Sequence, residues 1–86
     1  MSQIDQNITG RQIAAARTLL GMNQPQLAER ANISVPTLKR MEASEGPASG
    51  LANNVLAVRR ALEAAGVIFV EENGDGPGVR LRKAAK

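Results

Sequence analysis

Lys39 and Arg40 stand together in the chain, with Val35 and Pro36 four positions ahead of each. Residues four apart share one helix face, so this spacing places two cations and two apolar groups on a common surface, opposite a second stripe formed by Leu38 and Met41. The chemistry open to such a surface is recognition of an anionic partner. A guanidinium can donate two hydrogen bonds to O6 and N7 of guanine, the Thr37 hydroxyl can reach a base or a phosphate, and Val35 can touch a thymine methyl group. Catalysis is harder to assemble. The 86 residues include no cysteine and no histidine, which removes disulfides, thiol nucleophiles and imidazole bases and leaves carboxylates as the only good metal ligands. Glu71, Glu72 and Asp75 form an acidic grouping, but their spacing is not that of an ordered cation loop, so a solvated turn is expected. The glycines at 74, 76 and 78 open no helix and so cannot cradle a phosphate there. No enzyme, metal or cofactor is expected.

The length suits one small domain whose core would gain from a partner subunit. Lys and Arg number 11 against 8 Asp and Glu, a net charge of +3, and position matters more than the sum. Residues 1–40 carry Arg11, Arg17, Arg30, Lys39 and Arg40 against Asp5 and Glu29, so the positive excess gathers in the first half. No apolar run approaches the roughly 20 residues of a membrane span, and Met1-Ser2-Gln3-Ile4-Asp5 lacks the layout of a signal peptide. A cytoplasmic protein is expected.

The elements that position these residues follow from caps, stops and apolar spacing. Residues 1–8 read as a short polar arm. Thr9 with Gln12 is a capping box for a first helix over about 9–20, with Ile13, Ala16 and Leu20 on its inner face and Gly21 as its stop. Asn23 with Gln26 repeats the box, and Pro25 suits the first turn of a second helix over about 24–31. Asn32 tolerates the left-handed backbone of a sharp corner and Ile33 tucks under it, while Ser34 caps a third helix that accepts Pro36 early. Residues 44–50 are loop chemistry. Leu51, Val55, Val58 and Leu62 then mark a fourth helix that ends at Gly66. Residues 67–70 and 79–82 read as two strands of a hairpin, joined by a turn over 74–78 and followed by a basic tail.

Residues 23–42 thus have the layout of a helix-turn-helix: a capped helix, a tight apolar corner, and a helix whose outer face is free to enter a major groove. The run Asn23-Gln24-Pro25-Gln26-Leu27-Ala28-Glu29-Arg30-Ala31-Asn32-Ile33-Ser34-Val35-Pro36-Thr37-Leu38-Lys39-Arg40-Met41-Glu42 resembles the Cro/C1-type (XRE) helix-turn-helix family of transcription regulators. The likeness extends back through Arg17 and Gly21 and, more loosely, forward through the fourth helix, over about residues 9–66. The hairpin resembles an appendix of some small bacterial members. The resemblance implies a mainly α, four- to five-helix lambda-repressor-like domain with a C-terminal two-stranded β-hairpin, in one domain over 1–86. It implies a dimeric, operator-binding regulator, with a repressor or a DNA-binding antitoxin both open, whose partner is double-stranded DNA and whose place is on the nucleoid. Residue by residue, it implies a phosphate contact for Gln24, DNA-facing positions for Ser34, Val35, Pro36, Thr37 and Arg40, and an ion pair between Arg17 and Glu42. Where the family usually carries long polar residues, this chain has Val35 and Pro36, which shifts the reading towards Lys39, Arg40 and DNA shape. The alternative is a protein-interaction module on the same scaffold, such as an anti-activator.

Two further surfaces have more than one reading. Val67, Phe69, Val79 and Leu81 can share one face of the hairpin, which either covers the fourth helix or meets its copy; dimerisation through the fourth helix and hairpin is favoured. Arg80, Arg82, Lys83 and Lys86 are either a second phosphate strip or charged edge protection, and edge protection is favoured.

Overall fold

The computed structural model describes residues 8–83. Among them are four helices, α1 (Gly10–Leu19), α2 (Gln24–Ala31), α3 (Val35–Glu42) and α4 (Ala52–Ala64), then strands β1 (Val67–Val70) and β2 (Gly78–Leu81). The fold is mainly helical with a C-terminal antiparallel hairpin, that of a small lambda-repressor-like domain. No helix among the described residues is long and apolar enough to cross a membrane.

The starts of α1, α2 and α3 are set by side chains. Thr9 Oγ1 accepts from Gln12 N (3.0 Å) while Gln12 Oε1 accepts from Thr9 N (2.8 Å), so two of the donors orphaned at a helix start are satisfied reciprocally. Asn23 and Gln26 do the same for α2 at 2.8 and 2.9 Å. The core is the meeting of the inner stripes: Ile13 and Ala16 of α1, Leu27 and Ala28 of α2, Leu38 and Met41 of α3, and Val55, Val58 and Leu62 of α4 are all buried. Burial of each large apolar side chain contributes about 1.5–3 kcal/mol.

The structure differs from expectation in four places. Ile8, grouped with the polar arm, is 4% exposed, and its carbonyl accepts from Ala48 N at 2.9 Å. Thr9 forms a bridge with Pro47, so the chain entering α1 is strapped to the loop after α3; residues 1–7 of that arm lie outside the described residues. Leu51 does not join the buried face of α4: it is the N-cap, with extended backbone, and its side chain is 71% exposed. The second strand runs one residue earlier than expected because Gly78 pairs with Val70, while Arg82 N already donates to Gly66 O. Lastly, Val67 pairs with Leu81 and Phe69 with Val79, so the four do share a face, but that face is turned to the helices. Val67 is buried and Phe69 and Val79 pack on the core, leaving Leu81 exposed at the end. The hairpin loop is closed by Glu72, whose carboxylate accepts from Gly74 N and Gly76 N at 2.9 and 3.1 Å.

Candidate nucleic-acid interface

The corner between α2 and α3 depends on one residue with unusual backbone. Asn32 has φ 59° and ψ 46°, the single non-glycine positive φ among the described residues. With the chain turned there, Ile33 N reaches back to Ala28 O at 3.0 Å and the Ile33 side chain packs on the core. Ser34 then starts α3, its Oγ accepting from Thr37 N at 3.2 Å. Because Leu38 and Met41 are wholly buried, the opposite side of α3 faces solvent, and Pro36, Lys39 and Arg40 are exposed along it. Ser34 is exposed at the cap and Thr37 is half-buried. Val35 is the exception to the expected layout. It sits one residue before Pro36 on the side of Leu38 and packs partly against the core, which leaves little of it to reach a base.

What holds this face still lies behind it. Arg17 grips Glu42 with two parallel bonds, Nε to Oε2 at 2.8 Å and Nη2 to Oε1 at 3.1 Å, and its Nη1 donates to Met22 O at 3.0 Å. Gln24 Nε2 donates to the same Oε1 at 3.0 Å. One carboxylate at the end of α3 is therefore tied to both α1 and the start of α2. The pair is mostly buried, with side-chain exposures of 19% and 7%. Such a pair contributes little net energy but specifies geometry, because removing one partner strands the other charge. Gln24 thus braces the corner whether or not its remaining amide proton meets a phosphate.

Arg40 is held at both its ends. Its Nη2 reaches Thr37 Oγ1 at 3.5 Å, and its carbonyl accepts from Ser44 Oγ and Ser49 Oγ, each at 3.3 Å. Beside it lies a cavity of about 310 Å3 lined by Thr37, Arg40, Ser49, Gly50, Leu51 and Asn54. The hairpin cations Arg80, Arg82 and Lys83 are exposed, while Lys86 lies outside the described residues.

Two residues that matter to this site were missed in the sequence. Gly10 lies where the start of α1 meets the end of α3; a Cβ there would collide with Met41 O and stand 2.6 Å from Ser44 O and 3.0 Å from Glu42 O. Gln12, recognised only as half of a capping box, also donates from Nε2 to Gly78 O (2.9 Å) and Val70 O (3.3 Å), which fastens α1 to the hairpin. A glycine and a glutamine at a helix start carry ordinary local explanations, so neither position signals its long-range contact.

A capped helix, a left-handed corner and a second helix with an exposed cationic face define a DNA-binding helix-turn-helix domain. Residues 13–51, a little under half of the chain, match the family model described as Helix-turn-helix. That segment is a helix-turn-helix of the Cro/C1 type, a class of DNA-binding domain found in transcription regulators. No curated protein matches the chain.

Proposed function

We propose that the protein is a sequence-specific, homodimeric repressor that occupies an operator of two half-sites about 34 Å apart, one turn of the duplex. Gln24 contacts a phosphate, and Ser34, Pro36, Thr37, Lys39 and Arg40, at the start and on the outer face of α3, enter the major groove, while Val35 packs beside them against the core. The observation that carries this reading is the exposed Pro36, Lys39 and Arg40 face on a helix whose far end is locked through Glu42 to Arg17 and Gln24. A surface held that rigidly loses little entropy on docking. Dimerisation runs through α4 and the hairpin, supported by Leu81, which is 44% exposed at the hairpin's end. Leu81→Glu should therefore raise the monomer fraction in sedimentation without unfolding the chain.

A salt titration of binding to upstream genomic DNA and to random duplex tests the reading. The specific site should bind with an affinity on the order of 10⁻⁸ M or tighter, and both affinities should fall steeply with salt as counterions are released. Within it, Gln24→Ala should weaken all sequences alike, whereas Arg40→Ala should relax preference at one base pair by about 1–3 kcal/mol. A second reading, a module that binds a protein, is favoured by exposed apolar groups at the same site, Pro36 and Leu51. Absence of salt-sensitive duplex binding would decide for it.

A further inference from the structure

The polar side chains of α3 are few enough to account for one by one. Its residues are Val35 to Glu42, and the polar ones are Thr37, Lys39, Arg40 and Glu42. Glu42 is the only carboxylate, and it is buried with both oxygens bound by Arg17 and Gln24. Lys39 and Arg40 can only donate. Thr37 has an oxygen with two acceptor sites and one proton, and both acceptor sites are occupied: Ser34 Oγ donates to it at 2.8 Å and Arg40 Nη2 at 3.5 Å. What remains on Thr37 is its own proton. Apart from one lone pair left on Ser34 Oγ at the cap, the outward face of α3 therefore presents donors only.

In the major groove, cytosine offers an amino donor and adenine pairs an acceptor with an amino donor, whereas guanine offers two adjacent acceptors, O6 and N7. Along the helix body such a face has no partner for the amino groups; it can give one bond to the lone O4 of thymine but two to guanine, which a two-donor fork matches best. The tether to Thr37 also leaves the fork of Arg40 intact, because Nη2 carries two protons. Whichever proton meets Thr37, the other completes a two-donor fork, with Nη1 or with Nε, of the kind that a guanine edge accepts. The Arg40 carbonyl, bound by Ser44 and Ser49, fixes the root of the side chain as Thr37 fixes its tip.

We propose that the α3 face reads a guanine through Arg40, and that Thr37 is a positioning residue for that arginine rather than a base contact. The inference rests on the DNA-binding reading above. It is tested with the full chain by enrichment of bound duplexes from a randomised pool, for the wild type, Arg40→Ala, Thr37→Val and Thr37→Ser. The wild type should enrich a half-site with a guanine at the position that Arg40→Ala randomises, preferred by about tenfold over other bases. Thr37→Val should lower that preference about threefold or more, and Thr37→Ser, which keeps the hydroxyl, should restore it. A duplex with 7-deazaguanine at that position, lacking only the N7 acceptor, should bind the wild type more weakly and Arg40→Ala unchanged. Adenine or cytosine at the Arg40-dependent position would overturn the proposal, as would a guanine preference unaltered in Thr37→Val. Enrichment of no sequence at all, with no salt-sensitive binding, would remove the DNA reading itself and this inference with it.

Discussion

The corner between α2 and α3 is made by residues three to five apart: Asn23 with Gln26, Ser34 with Thr37, and Ile33 N with Ala28 O. The hairpin's polar attachment to α1 instead runs through Gln12, whose two acceptors lie 58 and 66 residues along the chain. Local bonds of the first kind form with little loss of loop entropy; the second kind forms only when the whole chain has come together. The corner should consequently tolerate damage to the hairpin better than the hairpin tolerates damage to α1.

The largest effect is expected where the corner departs from this local pattern. Glu42 is reached from Arg17, 25 residues away, and from Gln24, 18 away, so it joins the corner to α1. Glu42→Ala strands a mostly buried guanidinium and should cost about 3 kcal/mol in chemical denaturation. Glu42→Gln, which retains one acceptor oxygen, should recover part of that loss. Should Glu42→Ala prove neutral, the bracing of α3 would have to come from apolar packing alone.

Gly10→Ala should follow at about 2–3 kcal/mol, because the new methyl would meet backbone carbonyls at the end of α3 and not the tip of a flexible side chain. Its effect distinguishes the two regions. Forcing the start of α1 away from α3 should lower DNA affinity in step with the loss of stability, whereas a hairpin lesion of equal cost should spare the corner. Thermal melts paired with DNA titrations on the same samples provide the comparison.

Gln12 allows the hairpin to be released by itself. Gln12→Glu keeps an acceptor for Thr9 N at the helix start, where a carboxylate is favoured, but sets that charge against the carbonyls of Val70 and Gly78 in place of an amide. Two bonds lost and a carboxylate set against two carbonyl oxygens amount to about 2 kcal/mol. Hydrogen exchange should show faster exchange in residues 67–81 with little change at α2 and α3. Uniformly faster exchange throughout would mean that the chain unfolds as one unit and that the contrast has no energetic basis.

The same contrast explains what was legible in the sequence. The caps at Thr9, Asn23 and Ser34, the stop at Gly21, the corner at Asn32 and the buried stripes each depend on residues within one or two turns, and each element was placed to within a residue or two. Illegible were Gly10 against the carbonyls of α3, Gln12 on the hairpin, Ile8 on Ala48, and the inward turn of the Phe69 and Val79 face, all of which depend on where distant segments come to rest. Leu51 and Val35 show a finer failure. Both continue an apolar spacing but stand at helix starts, where a small difference in backbone direction decides between core and solvent, and each took the side opposite to the one expected.

The smallest effect is expected at Asn32, where the local character of the corner is open to direct test. Its left-handed backbone costs a residue with a Cβ roughly 1–2 kcal/mol, a penalty that asparagine tolerates better than most and glycine escapes. The side chain is exposed, so packing contributes nothing to the choice. Asn32→Ala should therefore cost about 1 kcal/mol, while Asn32→Gly should lie within about 0.5 kcal/mol of the wild type, its easier φ offset by a more flexible unfolded chain. Neither change touches Gln12 or the core, so both should add to Gln12→Glu in a double mutant within about 0.5 kcal/mol. A larger coupling would show that strain at the corner reaches the hairpin through α1, joining the two regions that local and distant bonds otherwise keep apart.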